Sequence, residues 1–203
     1  MNGIPLRWIA ALFLLLAGCG GSGSETGTSP PRDTDAYAAL QAQHQQLVSD
    51  QQSLSKSALG ANTAIGSATY TGHVLYAEIG ASAGNTPFTL AGDVTLDVTL
   101  SATQNSVTGR LRNFVDGSDR AYSGTLALSS GLIDRNSGAN DYAISARLSG
   151  ELTRSGASGL TADGGINADF LGPNFEMVSG TSFLDLQDGN DSRSLRGTLV
   201  TKD

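Results

Sequence analysis

Cys19 is the only cysteine in the chain, and it follows Leu16-Ala17-Gly18 at the end of an apolar run over residues 8–16. A thiol is the strongest nucleophile a side chain offers, and a lone one in an exported chain has no partner for an internal disulfide. Its chemistry is then covalent attachment at sulfur. The other groups that could do chemistry are sparse. Two histidines, His44 and His73, lie in different segments with no second histidine or cysteine at ligand spacing. His44 reads as a polar residue on a helix seam, and His73 alternates with Gly72 and Val74, which places it on the solvent-facing side of a strand. No zinc spacing, phosphate loop or G-x-S-x-G elbow occurs, so the reading is non-enzymatic, with no metal and no cofactor. The acidic stretch "DLQDGNDSR" (residues 185–193) fails as a calcium loop, because the first ligand position falls on Leu184. It reads as a hairpin turn, as does "DRNSGAND" (134–141).

The segment that carries Cys19 is a targeting segment. Arg7 is its one charge, and the apolar run is too short to cross a bilayer comfortably, as in a secretory signal peptide. "LAGC" resembles the lipobox of bacterial lipoproteins, in which Leu16, Ala17 and Gly18 fit the signal peptidase and Cys19 accepts the lipid. This divides the N-terminus into a signal peptide, 1–18, and a lipidated flexible tether, 19–33, rich in Gly and Ser and closed by two prolines. Gly20, where an aspartate would retain such a protein, resembles Gram-negative lipoproteins delivered to the outer membrane. Several acyl chains on one cysteine anchor a protein stably. Loss of Arg7 makes the mature chain one unit more negative than the full chain's −7. That surface argues against nucleic acid and against adsorption to anionic headgroups, so the membrane partner is reached through the lipid on Cys19.

The elements behind this segment change period twice. Over residues 34–60, Leu40, Leu47 and Leu54 recur every seven residues, with Tyr37, His44, Gln51 and Ala58 between them. Asp33, Thr34 and Asp35 can cap the start, Lys56 suits a last turn and Gly60 a stop. One amphipathic helix is predicted, its leucine stripe laid across one end of the main domain. Beyond residue 65 the period becomes two. "DVTLDVTL" (93–100) puts Val94, Leu96, Val98 and Leu100 on one face and Asp and Thr on the other. Similar alternation at 68–76, 107–115, 121–129, 142–152, 160–170, 175–186 and 195–201, with turn-rich segments between, predicts an all-β domain over 66–203. Its architecture is an eight-stranded antiparallel up-and-down barrel.

Apolar-x-Gly-x-apolar recurs around Gly72, Gly92, Gly109, Gly124, Gly150 and Gly197, in phase with the apolar face. Glycine there lets a small barrel coil tightly and alternates small with large side chains inside. Facing residues that sum to 207 across "SATQNS" would pair Leu100 with Val107, Val98 with Gly109 and Asp97 with Arg110. A lipid-immersed barrel is disfavoured: the alternating face is glycine-rich, aromatic girdles are missing, and the chain ends "VTKD".

"GSATYTG", Gly66-Ser-Ala68-Thr-Tyr70-Thr-Gly72, followed by glycine-punctuated strands, resembles the barrel domain of transferrin-binding protein B-like surface lipoproteins. The likeness extends over 66–203 in pattern and closely over about ten residues. It implies an eight-stranded barrel, an outer-membrane or cell-surface location, and capture of a host protein or an iron- or haem-type ligand through loops. The ligand-binding residues themselves are not identified by it. Two alternatives stand beside this: a structural or envelope-assembly lipoprotein with no diffusible ligand, and a lipocalin-like carrier of a small apolar molecule.

Overall fold

A computed structural model describes residues 35–60, 63–64, 66–81, 84–189 and 191–203. The strands are β1 (Gly66–Glu78), β2 (Thr89–Leu100), β3 (Asn105–Asp116), β4 (Ala121–Ile133), β5 (Ile144–Thr153), β6 (Leu160–Leu171), β7 (Met177–Asp188) and β8 (Asp191–Lys202). Each is antiparallel to its neighbour in sequence, and β8 pairs back with β1, so the sheet closes into the expected up-and-down barrel. Closure leaves no strand edge unpaired. The connections 79–88, 117–120, 154–159 and 189–190 lie at one end, here the upper end. Those at 101–104, 134–143 and 172–176 lie at the lower end.

The apolar face of every strand turns inward. Tyr70, Val74 and Tyr76 of β1, Leu96 and Val98 of β2, Leu148 of β5, Phe170 of β6 and Leu199 of β8 are buried in one continuous cluster. Each large aliphatic side chain removed from water contributes about 1.5–3 kcal/mol. The outward residues are mostly polar; among the described residues only Ile79, Leu132, Tyr142 and Phe183 are large, apolar and exposed. This is the reverse of a barrel whose outer face meets lipid.

Every strand carries at least one inward glycine: the six read from the sequence and, in addition, Gly131, Gly164 and Gly180. Most sit opposite a bulky neighbour, as in Leu96↔Gly109, Gly124↔Leu152, Leu126↔Gly150, Gly164↔Leu184 and Tyr76↔Gly197. A Cβ at Gly72, Gly109, Gly124, Gly150, Gly164, Gly180 or Gly197 would run into the carbonyl oxygen of an adjacent strand, and at Gly92 into the Phe114 ring. Backbones approach this closely because the sheet coils strongly, and only hydrogen fits between them.

Two expectations are corrected. Across 101–104 the paired residues sum to 205, with Val98 opposite Val107 and Leu100 opposite Asn105. The turn is tighter than the sum of 207 allowed: Ser101 N–H donates to Gln104 O, and Ser101 Oγ accepts from Thr103 and Gln104 N–H. A two-residue slip keeps every side chain on its own face, so apolar alternation is blind to it. Asp97 therefore meets Thr108, not Arg110, and accepts a 2.8 Å bond from Thr69 Oγ1.

The helix is the second correction. It spans α1 (Ala36–Gln51) rather than 34–60, and it lies on the outer wall over β8, β1 and β2, not across an end. Asp35 is its N-cap residue but makes no side-chain cap bond. After a turn at residues 52–53 the alternation in "SLSKSAL" (53–59) competes as extended chain and wins through pairing: Ser57 N–H donates to Phe170 O, Gly172 N–H to Ser55 O, and Lys56 bridges Leu171. Lys56 thus serves no helix end. Its ammonium lies 2.9 Å from Asp169 Oδ1 and donates to the carbonyls of Gly138 and Asp141.

This strap seals the lower end, together with Arg135, which donates to Gly60 O, Thr63 O, Ser101 O and Asn105 Oδ1. Beneath it, Phe170 meets Tyr70 at 6.2 Å and Phe175 edge-on at 5.8 Å, and Tyr70 OH donates to Phe175 O at 2.8 Å. Desolvation of the phenol, reinforced by the Asp203 and Glu176 carboxylates, pushes Tyr70 up to about 12.

Gly164→Val is expected to destabilise the chain by at least about 2 kcal/mol in urea unfolding, because the new side chain meets Phe183 O. Gly60→Ala, whose Cβ would find Thr63 Oγ1 at 3.6 Å, is the control and should change stability little.

Candidate functional site

The upper end is where the barrel offers chemistry. Residues at this end line a pocket of about 240 Å³: Phe88, Arg120, Tyr122, Arg154, Ser158, Asp188, Asp191 and Arg193, over a floor that includes Leu160 and Leu186. Strand direction explains the convergence. Arg120 precedes β4, Arg154 follows β5, and Arg193 opens β8, so the antiparallel order brings all three to the same mouth.

The three guanidiniums are held differently. Arg120 Nε donates to Asp116 Oδ2 at 2.7 Å. Asp116 is 1% exposed, and its carboxylate also accepts Ser118 N–H, Arg120 N–H and Tyr122 OH at 2.9, 3.1 and 3.1 Å. A buried carboxylate needs this many donors, and the set fixes the rim of the mouth. Desolvation, with the Asp116 charge behind it, raises Tyr122 above the usual phenol value. Arg193 stacks on Phe88, its Cζ 5.2 Å from the ring centre, and Nη1 lies 3.6 Å from Glu78 Oε2. Arg154 is half-buried and rests on the Tyr122 ring at 5.9 Å. Among the described residues Arg154 has no carboxylate within 4.0 Å. Guanidiniums laid on aromatic faces keep their N–H edges free to donate.

Two carboxylates share this pocket. Asp188 and Asp191 face each other across the β7–β8 hairpin, the turn expected from "DGND". Asp188 Oδ1 accepts from Ser158 Oγ, and neither carboxylate lies within 4.0 Å of a cationic nitrogen of the described residues. Opposite charges thus line one pocket without pairing with each other.

Comparison of the chain with family models, with characterised proteins and with solved structures returned no match. The site therefore has to be read from its own geometry. Of the residues singled out from the sequence, Cys19, Leu16, Ala17 and Gly18, with the segments expected as signal peptide and tether, lie outside the described residues. The glycines are structural and line no part of the mouth.

The histidines need correction. His73 does point outward, but it sits beneath α1 with its side chain only 18% exposed, and Nδ1 lies 3.2 Å from Asp93 Oδ1, off the line of a hydrogen bond. His44 is the one buried residue of α1, and the fold supplies the neighbour the sequence did not show. Its Nδ1 is 3.4 Å from His73 O and its Nε2 2.9 Å from Thr198 Oγ1. A neutral ring satisfies both, with Nδ1–H donating to the carbonyl and the Thr198 hydroxyl donating to Nε2. This contact docks the helix, and His73 also lines an open groove of about 720 Å³ between α1 and the wall, with Asp93, Arg112 and Lys202. The mouth arginines were missed because they are far apart in sequence. The signal that could have found them is parity: in an up-and-down barrel, residues at alternate turns share an end.

Desolvation holds His44 below its ordinary value of 6.5, aided by the neighbouring His73. The unfolded chain then takes up the proton first, so stability is expected to fall as pH drops just below 6.5. His44→Gln should flatten urea-unfolding stability over that interval; an unchanged slope would show that the helix dock does not titrate.

Proposed function

We propose that this chain is an outer-membrane-anchored lipoprotein of the transferrin-binding-protein-B-like kind, cleaved before Cys19 and lipidated there, whose barrel is a non-enzymatic binding module. The observation that carries the binding reading is the asymmetry of the barrel's ends. The lower end is tied down by the strap, Arg135 and the aromatic cluster, whereas the upper loops hold three guanidiniums and two carboxylates around an open pocket. Ligand is taken there, through the loops, and a host protein or an iron- or haem-type ligand would be gripped by its carboxylates on Arg154 and Arg193. The filled interior, with Tyr70, Tyr76, Phe114 and Phe170 buried at its centre, favours loop binding over carriage of an apolar molecule inside the barrel.

Two measurements test the reading. Cys19→Ser is expected to move the protein from the membrane pellet to the soluble fraction; an unchanged pellet would remove the anchor. Haem or a captured protein should be retained by the wild-type chain and at least tenfold less by Arg154→Glu, with His73→Ala unchanged. Equal retention by both variants would place binding elsewhere.

A further inference from the structure

We propose that the upper mouth binds a small zwitterion, a phosphate with a primary ammonium on the same short arm, as in a phosphoethanolamine group. The inference rests on the reading of the mouth as the binding site and narrows its chemistry. Arg120 is committed to the buried Asp116, and Arg193 is loosely matched by Glu78 at 3.6 Å. Among the described residues, the groups at the mouth without a partner of opposite charge are of both signs: Arg154, half-buried on Tyr122, and the carboxylates of Asp188 and Asp191. A simple anion would satisfy Arg154 and be repelled by the two aspartates, and a simple cation the reverse. A ligand with both charges satisfies both, its phosphate oxygens taking N–H bonds from Arg154 and Arg193 and its ammonium donating to Asp188 and Asp191. Carboxylates accept and cannot donate, so an ammonium that keeps its N–H bonds fits them better than a methylated one. A volume of about 240 Å³ admits a headgroup-sized molecule and little more.

The group could come from an aminophospholipid or from a free solute. The described chain starts at this same end, where Tyr37 N–H donates to Asp119 Oδ1 at 2.9 Å in the β3–β4 connection. An aminophospholipid headgroup and a free solute present the same phosphate and ammonium, so the two sources are separated by experiment.

The test uses the full mature chain carrying Cys19→Ser, titrated with phosphoethanolamine and followed by backbone amide resonances. Saturable shifts are expected around Phe88, Arg154, Ser158 and Arg193. Phosphocholine, inorganic phosphate and ethanolamine should each bind about tenfold more weakly or worse, since each loses one set of charge-assisted bonds. Arg154→Gln and the double variant Asp188→Asn/Asp191→Asn should each weaken phosphoethanolamine about tenfold without lowering stability in urea unfolding. Both replace exposed or half-buried mouth groups that hold no strand together.

Flotation with vesicles of phosphatidylethanolamine and phosphatidylcholine, against phosphatidylcholine alone, separates the sources. Flotation on the first only assigns a lipid headgroup, and shifts with the soluble compound without flotation assign a free solute. Absence of shifts at the mouth, phosphate binding as tightly as phosphoethanolamine, or indifference to both variants would overturn the proposal. Retention of haem or protein on the same samples distinguishes the failures. If it persists and depends on Arg154, only the zwitterion falls; if it is lost as well, the mouth is not the site.

Discussion

The rest of the molecule depends on how closely the eight strands pass one another. Inward glycines on seven strands lie where a Cβ would strike a neighbour's carbonyl oxygen, and the eighth lies against an aromatic ring. Strong coiling of a short sheet forces these approaches, and coiling is what lets β8 meet β1. Once closed, the lumen is narrow enough for leucines opposite glycines to fill it. That leaves the interior for stability and moves any recognition to the ends. The glycines thus have an indirect bearing on function: they decide where it cannot be.

The two ends show how one topology yields different surfaces. At the lower end the chain turns at residues 52–53, and residues 54–60 run on against β6 and the turn that follows it. Its serines and Lys56 satisfy carbonyls that would otherwise face water, and Arg135 spreads one guanidinium over four acceptors from three segments. Nothing comparable crosses the upper end. There the polar groups are organised around Asp116, whose burial is tolerable only because four donors converge on it. The helix belongs to neither end. It lies along the outer wall, and its one buried residue is a histidine that bonds a backbone carbonyl and a threonine instead of packing as a leucine would.

Much of this was legible in the sequence. Strict alternation located all eight strands to within a few residues, since a half-buried strand must repeat every two residues. The failures share a cause: each needed information that alternation does not carry. Gly180 was hidden because Ser182 stands where the motif expects an apolar residue, and Gly164 because Gly165 beside it blurs the phase. The β2–β3 register slipped by two, the one error that preserves every face. The heptad of Leu40, Leu47 and Leu54 continued past the true helix end, because residues 52–58 alternate as well as they spiral. Tertiary pairing with Phe170 and Gly172 decided between the two. The mouth was not legible as a site at all, since Phe88, Arg120, Arg154 and Arg193 meet only after the barrel has closed.

That late assembly bears on what the mouth costs. A half-buried guanidinium with no carboxylate among the described residues, and two carboxylates facing each other across a hairpin, each destabilise the free chain relative to neutral side chains. Had stability alone shaped this end, Arg154 and Asp191 would be expected to pair or to be neutral, as Lys56 and Asp169 pair at the other end at 2.9 Å. They share a pocket and remain apart, with the aromatic ring of Tyr122 holding the arginine in place and the hairpin holding the aspartate. Charges kept separate by rigid supports would suit the proposed ligand, because among the described residues neither has an ion pair to break before it makes one to a third body.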